Sequence, residues 1–336
     1  MKGVTYGSHG PPNVLKYRTD LPIPSFNDRE VLLEVHAAGI NPVDYKIVGG
    51  MMKWVEPLLG FSSYRVPGFD VSGKVIAAGS ACERVKVGDL VHAMADFRWR
   101  GGLAEYMSIA EHRVTLKPAK LTHVQAAGAP MVALTSLQAL KTIADVQPGQ
   151  KVLVLAGAGG TGQMGIQIAK LLGAYVATTA SPNSFKLVKS VGADQVIDYR
   201  SQNFSDILQA GSFDVVYDCV GGLSNWQAGK QILKTSGVYI TIVGDTADGF
   251  EIPSLLAKAS QITQRTVLHL AGKGPGYQLF TCFGSGKALA GLSDWFDQGK
   301  LKINIDKVYS LDQCVEAFEY QKSGRAKGKI VFQIKK

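Results

Sequence analysis

The chain has 336 residues, of which 46% are hydrophobic and 19% charged, and this is the composition of an ordinary globular protein. A chain of this length is too long for one ordinary core, so two domains are predicted. The net charge of +9 comes from Lys and Arg that are scattered except near the C-terminus, which favours a solvated surface over a nucleic-acid interface. No apolar run reaches the roughly 18–20 residues that a membrane span requires.

The cysteines and the N-terminus indicate the compartment. The four cysteines lie far apart and include no CxxC pair, so neither a zinc ribbon nor a disulfide framework is predicted. The N-terminal segment "MKGVTYGSHGPP" lacks the apolar core of a signal peptide. We therefore expect a cytoplasmic protein with free thiols.

The first part of the chain, residues 1–128, is predicted to be rich in strands. Runs such as "EVLLEVHAAGI" and "VKVGDLVHAM" are separated by Gly, Pro and Asp turns and show few helical periods. From Ala129 the pattern changes, because "MVALTSLQALKTIA" has helical spacing and stops at Pro148 and Gly149.

Strand-like and helix-like runs then alternate, which predicts a parallel, doubly wound α/β sheet. The predicted strands are Lys151–Ala156, Tyr175–Ala180, Gln195–Tyr199, Val215–Val220, Gly237–Val243 and Thr266–Ala271. From about residue 288 the sequence predicts one helix at "ALAGLSDWFDQGK", a second at "LDQCVEAFEYQKSG" and a closing strand at "KGKIVFQI".

A glycine-rich loop follows the first of these strands directly. Gly157, Gly159 and Gly162 form G-x-G-x-x-G between a strand and a helix, and Ala158, Gly160 and Thr161 fill the spacing. This spacing suits a tight turn, a close backbone approach to a pyrophosphate and close packing of helix on strand. The helix N-terminus would add partial positive charge. The loop therefore predicts a dinucleotide site.

The end of the second strand distinguishes NAD from NADP. NAD sites typically carry Asp or Glu about 20 residues after the loop, to accept a hydrogen bond from the ribose 2′-hydroxyl. Here no carboxylate lies between Ala174 and Lys189; Ser181 follows the strand and Lys186 comes soon after. A hydroxyl and a cation suit a 2′-phosphate, so NADPH is predicted. The alternative is that Lys186 is only a solvated helix residue.

Several motifs in order carry a family resemblance: "AAGINPVDYK", "VPGFDVSGKV", "GGLAEY", "ALTSLQAL", "VGADQVIDY" and "GRAKGKIV". The chain resembles the medium-chain dehydrogenase/reductase superfamily, in its zinc-independent quinone oxidoreductase-like branch. The resemblance implies a GroES-like catalytic domain from 1–128 and 272–336, and a Rossmann NADP-binding domain from 129–271. It also implies a homodimer paired through the edge strand, here Thr266–Ala271.

Two positions bear on a catalytic metal. Zinc-dependent relatives place a Cys and a His where this chain has Asn41 and Phe69. Catalytic zinc requires about three ligands of Cys, His or carboxylate type, and Asp70 would be the one such residue left. No metal is therefore predicted.

The resemblance implies three catalytic candidates: Asn41 beside the nicotinamide, and Asp44 and Lys46 near the cleft. Alternatively, the Asn41 amide caps the turn before Pro42, and Lys46 pairs with Asp44 or Asp70 and only holds the loop. Tyr45 and Tyr64 are candidate proton donors, and the alternative for each is a packing role.

The resemblance also implies further cofactor contacts beyond the loop and Asn41. Thr135 would lie near the ribose, and the remaining positions would contact the adenosine end or bring backbone close to the cofactor. These positions are Ser181, Lys186, Tyr199, Val220, Gly221, Val243 and Arg325. Cys219 is expected to be a small buried residue rather than a nucleophile, since no histidine is near it in sequence.

The predicted function is hydride transfer from NADPH to quinones without zinc. An NADPH-dependent enoyl or alkenal reductase is an alternative in the same enzyme class. A non-catalytic NADPH-binding protein with RNA affinity is an alternative from another class, because the net charge is +9.

Overall fold

The computed structural model describes residues 1–53, 65–96, 101–244, 263, 265–266 and 269–335. The chain forms two compact units, Met1–Leu134 with Phe283–Lys336, and Thr135–Cys282. These bounds replace the predicted ones at 128/129 and 271/272. The second boundary moves because the strand Gly276–Leu279 pairs with the parallel sheet of the second unit.

The first unit holds nine of the described strands. They are β1 (Gly3–Thr5), β2 (Lys16–Arg18), β3 (Glu30–Ile40), β4 (Asp70–Ala78), β5 (Leu90–Met94), β6 (Tyr106–Ala110), β7 (Val114–Leu116), β14 (Ile305–Tyr309) and β15 (Lys329–Gln333). Its described helices are α1 (Pro42–Val48), α2 (His123–Gly128), the start of α3 (Pro130–Leu137), α8 (Gly286–Ala290), α9 (Ser293–Asp297) and α10 (Cys314–Lys322).

The second unit holds the other described strands and the α-helices α4 to α7. The strands are β8 (Lys151–Leu155), β9 (Tyr175–Ala180), β10 (Gln195–Asp198), β11 (Phe213–Asp218), β12 (Leu233–Thr241) and β13 (Gly276–Leu279). The helices are α4 (Gly160–Leu171), α5 (Phe185–Ser190), α6 (Phe204–Ile207) and α7 (Leu223–Ile232), with a π-helix at Gln138–Ile143.

The sheet of the first unit is organised around β3. Its strand order is β14-β15-β3-β4-β5-β7, and β6 also pairs with β3. β3 is 11 residues long and mostly buried, and it has hydrogen-bonded neighbours along both edges. The register sets Ile40 opposite Ile330 of β15 and Gly39 opposite Asp70 of β4. The sheet therefore brings the end of β3 and the starts of β4 and β15 to one place.

The sheet of the second unit is parallel throughout and has the order β10-β9-β8-β11-β12-β13. The chain moves outward from β8 to β10 and then returns to β11 on the other side of β8. Ligands of such doubly wound sheets bind beyond the carboxyl ends of the strands at this reversal. The predicted fold class, a Rossmann sheet with a GroES-like domain, is confirmed.

The predicted strand Thr266–Ala271 is wrong. Thr266, His269 and Leu270 are helical, and the edge strand is β13. The ring of Tyr277 in β13 stacks on the ring of Tyr239, with 5.8 Å between the ring centroids. It meets the Trp226 ring edge-on, with 5.0 Å between the centroids. This aromatic packing explains why the short run "GYQL" forms the edge strand.

Two predicted helices differ in detail, while the closing strand is confirmed. The run after Ala129 begins as α3 and continues as the π-helix, and the run near residue 288 forms two helices, α8 and α9, separated at Gly291. The predicted strand "KGKIVFQI" corresponds to β15. In the parts of the chain that the structure describes, no helix is both long and apolar enough to cross a bilayer.

His92 should set part of the acid stability of the first unit. Burial lowers the pKa of His92 to about 4 from its ordinary 6.5, so its contribution is complete above pH 6.5 and is lost as the pH falls towards 4. That difference corresponds to about 3 kcal/mol of unfolding free energy. We expect His92→Leu to flatten the stability profile between pH 6.5 and 4, measured by urea unfolding. The exposed His112→Gln should leave the profile unchanged, and equal profiles in all three proteins would contradict the prediction.

Candidate active site

The cofactor loop, Ala156–Gly162, connects β8 to α4 in the second unit. A Cβ on Gly157 would lie 2.0 Å from Thr178 Oγ1, and one on Gly162 would lie 2.2 Å from the Ala156 carbonyl oxygen. A Cβ on Gly159 would meet only that same oxygen, at an ordinary 3.5 Å. Gly157 and Gly162 are thus required by the protein's own packing, whereas Gly159 leaves space open above the loop.

The loop also presents backbone donors. Ala156 has a φ of 58°, a left-handed conformation that a non-glycine residue rarely adopts and that recurs at functional sites. α4 begins at Gly160, and the N–H groups of its first turn have no acceptor within the helix. This arrangement can bind a pyrophosphate through backbone N–H groups.

Most other predicted cofactor residues follow the carboxyl ends of neighbouring strands. Ser181 follows β9, Tyr199 follows β10, Val220 and Gly221 follow β11, and Val243 follows β12. They therefore lie along the same edge of the sheet as the cofactor loop. Lys186 is exposed on α5, beyond Ser181.

Two predicted contacts do not follow a strand of this sheet. Thr135 is buried in α3 at the start of the second unit. Arg325 is exposed after α10 in the first unit.

Asp218, the last residue of β11, organises this edge and was missed by sequence reasoning. Its buried carboxylate accepts hydrogen bonds from the N–H groups of Val220 (2.8 Å) and Gly221 (2.9 Å) and from the Tyr239 hydroxyl (2.9 Å). Gly221 has a φ of +83°, and a Cβ there would lie 2.6 Å from the Gly244 carbonyl oxygen. The two loops after β11 and β12 thus meet backbone to backbone. An acidic residue just before "CVGG" was the available signal.

Cys219 lies beside this turn. Cys219 is partly exposed, so the expectation that it is buried is wrong. Desolvation nevertheless raises the pKa of its thiol well above the ordinary value, which agrees with the expectation that it is not a nucleophile.

The catalytic candidates belong to the first unit, where the sheet register places Asn41, Asp70 and Lys329 together. We call these three residues the Asp70 cluster. Asn41 Nδ2 donates to Asp70 Oδ2 at 2.9 Å. The Lys329 ammonium donates to Asn41 Oδ1, to Asp70 Oδ2 at 3.1 Å and to the Ile40 carbonyl at 3.2 Å. The other Asp70 oxygen accepts the N–H of Met131 at 2.8 Å.

All three members of the Asp70 cluster are buried, with exposures of 2% for Asn41, 0% for Asp70 and 4% for Lys329. Burial raises the pKa of Asp70, and the Lys329 ammonium opposes that rise. Lys329 was not singled out from the sequence. Its signal, a lysine inside the apolar run "GKIVF", is weak, because only the fold shows that β15 starts beside Asn41.

Asp44 fixes the start of α1. One carboxylate oxygen accepts the N–H of Asn41 at 2.7 Å and the other accepts the N–H of Gly68 at 2.8 Å. It is therefore Asp44 that binds back to the Asn41 backbone, while the Asn41 amide engages the Asp70 cluster. Burial raises the pKa of Asp44 to about 7. Asp44 and Phe69 also line a pocket of about 270 Å³, open solvent included.

Lys46 is half-buried on α1, and burial lowers the pKa of its ammonium. It forms no ion pair with Asp44 or Asp70, so that alternative is wrong: Asp44 binds backbone N–H groups, and Lys329 pairs with Asp70. Tyr45 is half-buried against the core of the first unit. Tyr64 lies outside the described residues.

Comparison with known proteins defines the class. A model of the alcohol dehydrogenase GroES-like domain matches residues 27–119, and a model of the zinc-binding dehydrogenase family matches residues 191–332. The chain belongs to the medium-chain dehydrogenase/reductase superfamily. Within it, the chain lies in the quinone oxidoreductase-like branch, which confirms the resemblance seen in the sequence.

Three relatives illustrate this branch. The chain is 34% identical to a 2-methylene-furan-3-one reductase of Solanum lycopersicum, over 98% of this chain and 78% of that protein. It is 32% identical to a chloroplastic NADPH-dependent alkenal/one oxidoreductase of Arabidopsis thaliana, over 98% and 79%. A quinone oxidoreductase structure from Coxiella burnetii superposes with a TM-score of 0.85 at 32% identity, covering 100% of this chain and 99% of that one. The protein is an NAD(P)H-dependent oxidoreductase of small molecules.

The residues of the first unit do not fit the zinc that one matched family model has in its name. Phe69 has no donor atom, and both the Asn41 oxygen and the Asp70 carboxylate are bound by the Lys329 ammonium. The Lys329 ammonium therefore occupies the oxygen ligands that a metal ion would need. Among the residues that the structure describes, no group of three His, Cys, Asp or Glu side chains could hold a metal.

Two glycines of the cofactor loop should respond differently to substitution. Gly162→Ala forces a Cβ against the Ala156 carbonyl, so we expect a loss of about 1–3 kcal/mol of stability and a lower melting temperature. Gly159→Ala should melt like the wild type, because its methyl group makes only an ordinary contact with the protein. It should bind NADPH more weakly, because the methyl group enters the space above the loop where the pyrophosphate is expected. Thermal melts and fluorescence titration with NADPH measure both effects. Wild-type NADPH affinity in Gly159→Ala would contradict the assignment of the loop.

Proposed function

We propose that this protein transfers a hydride from NADPH to quinones without a metal ion. The observation that carries the proposal is the Asp70 cluster, in which the Lys329 ammonium already binds the side-chain oxygens of Asn41 and Asp70 that a metal ion would need. Without a Lewis acid to polarise a carbonyl, the substrate itself must be electron-poor, as a quinone is. The C. burnetii quinone oxidoreductase supports this choice.

The roles of the chain's own residues follow from their contacts. The cofactor loop and the strand edge bind and orient the dinucleotide, which supplies the hydride when bound. Asn41 orients the nicotinamide or donates a hydrogen bond to the substrate oxygen as negative charge develops there. Asp44 holds the backbone of Asn41 in place. Thr135 and Arg325 are retained as proposed cofactor contacts.

Steady-state oxidation of NADPH by 1,2-naphthoquinone or 9,10-phenanthrenequinone tests the proposal. We expect turnover well above the non-enzymatic rate, and Asn41→Ala should lower kcat about 10²- to 10³-fold, the cost of losing a donor to a developing oxyanion. Exposed Asn203→Ala, at the start of α6, is a matched control and should keep full activity. Saturation with NADPH but no turnover of either quinone would refute the proposed function.

Reduction of α,β-unsaturated carbonyls is a second candidate, favoured by Lys46. Hydride addition to the β-carbon of an enone gives an enolate, which must then be protonated. Lys46 is half-buried, its ammonium pKa is lowered, and it makes no ion pair within the described residues. It can therefore donate that proton. By name, the Solanum lycopersicum relative is a 2-methylene-furan-3-one reductase and the Arabidopsis relative is an alkenal/one oxidoreductase.

A comparison of two lysine variants separates the candidates. Lys46→Met should lower kcat for a conjugated enone such as 3-penten-2-one about 10²-fold or more, the usual contribution of a general acid. It should affect quinone reduction much less, since oxygen atoms exchange protons readily with water. Lys322→Met, in the last turn of α10, removes an exposed charge from an equivalent helix position and serves as control. Equal losses with both substrates would argue against Lys46 as the proton donor.

The preference for NADPH is proposed from Ser181 and Lys186. Ser181 follows β9 and Lys186 is exposed on α5 beyond it, so a hydroxyl and a cation are available to a 2′-phosphate at this end of the sheet. Tyr199, 61% exposed after the neighbouring β10, supplies an aromatic face to the adenosine end.

Substitution of both Ser181 and Lys186 should shift the cofactor preference from NADPH towards NADH. Ser181→Asp with Lys186→Ala places a carboxylate where the 2′-phosphate is expected, so repulsion should weaken NADPH binding at least tenfold more than NADH binding. Fluorescence titration with each cofactor gives the ratio. Lys189→Ala, an exposed cation of the same helix, is the control, and an unchanged ratio in the double variant would refute the assignment.

The homodimer and the cytoplasmic location stay predictions. Because β13 is the edge strand, a dimer formed through sheet edges would use Gly276–Leu279 in place of the predicted Thr266–Ala271. The Arabidopsis relative is chloroplastic by name.

A further inference from the structure

We propose that Lys329 is a positioning residue, whose buried ammonium fixes the orientation of the Asn41 amide for the reaction. The inference rests on the proposed function in that Asn41 is taken to face the reacting groups. It adds a residue from β15, near the C-terminal end of the chain, to a site otherwise built from the segments around residues 41 and 70.

The hydrogen bonds of Lys329 are complete. An ammonium has three N–H donors, and three acceptors surround this one: Asn41 Oδ1, Asp70 Oδ2 and the Ile40 carbonyl. Two of these acceptors are held by the sheet itself, because Ile40 ends β3 and Asp70 begins β4. The ammonium is thus fixed relative to the strands, and the Asn41 side chain is aligned against it.

This arrangement permits one orientation of the Asn41 amide. Its oxygen meets the ammonium, and its nitrogen donates to the Asp70 carboxylate. A rotation by 180° would turn the NH₂ group towards the ammonium and the oxygen towards the carboxylate, so both contacts would become repulsive. The charge pair therefore selects the orientation, which neither Asp70 nor Lys329 alone would impose as strongly.

The selected orientation has a chemical consequence. An amide nitrogen has two N–H donors, and in the described residues Asn41 Nδ2 uses one of them, towards Asp70. The second N–H is the donor left for a substrate oxygen or the nicotinamide. If the amide were flipped, its oxygen would replace that donor and would repel a developing oxyanion.

The cost of the arrangement also argues for a specific role. A buried ion pair often contributes less stability than well-packed apolar residues of similar size, since both charges lose their hydration. Lys329 and Asp70 are 4% and 0% exposed. We infer that the pair is retained for orientation, which an apolar pair could not provide.

The test uses a charge-neutral double variant. Lys329→Met alone would leave the Asp70 carboxylate buried without its cation and is expected to unfold more readily. Asp70→Asn with Lys329→Met removes both charges together and keeps side chains of similar size. Lys335→Met, which removes an exposed lysine just after β15 that pairs with Glu34, is the matched control.

Two readouts distinguish positioning from stability. With ¹⁵N-labelled asparagine, the side-chain amide of Asn41 is assigned from its loss in Asn41→Ala, and its chemical shift and hydrogen exchange are measured. We expect slow exchange in the wild type and in Lys335→Met, and a shifted, faster-exchanging amide in the double variant. The double variant should lose about 10- to 100-fold in kcat, with NADPH affinity and KM within a factor of about three.

Either of two results would overturn the proposal. An Asn41 amide that already exchanges like an exposed side chain in the wild type means that nothing fixes it, and this measurement needs no folded variant of Asp70 or Lys329. An unchanged amide, or an unchanged kcat, in the double variant means that Lys329 does not position Asn41 for the reaction. If the wild type reduces neither quinones nor enones, the proposed function fails, while the amide measurement still decides whether Lys329 orients Asn41.

Discussion

The carboxylate of Asp70 lies fully buried where three strands of the first unit meet, and the arrangement around it depends on the Lys329 ammonium. An isolated buried carboxylate would be costly, so each of its oxygens is bound, by Asn41, Lys329 and the backbone of Met131. These contacts join the end of β3, the start of β15 and the start of α3. The same charge pair that satisfies the interior also aligns the candidate catalytic amide.

This internal cation also links the structure to the proposed chemistry. The donors that could have held a metal ion instead bind an ammonium, which is part of the chain and cannot move to a substrate. Polarisation of the substrate must then come from hydrogen bonds, and those are sufficient for acceptors that are already electron-poor. The half-buried Lys46, which pairs with neither Asp44 nor Asp70, is a separate cation, and it is the proton donor that we propose for enone substrates.

The second unit was the more predictable part of the fold, because the sequence motifs that indicate it are local. The glycine spacing, the strand before it and the helix after it all lie within about twenty residues, and the βα alternation then predicted a parallel, doubly wound sheet. The edge strand was mispredicted, since "GYQL" forms β13 through aromatic packing on Trp226 and Tyr239, residues distant in sequence. Asp218 was overlooked because its role depends on a turn that the sequence does not show.

The sequence by itself determined the fold class, the dinucleotide loop and the family, because these depend on periodicity and on motifs read in order. It also identified Asn41, Asp44 and Lys46 as candidates from one short segment. Only the tertiary structure decided which side chain binds which. Asp70 pairs with Lys329, 259 residues away, and not with nearby Lys46, because sheet register places the start of β15 beside the end of β3. Contacts across a sheet depend on register, and register is a property of the folded chain.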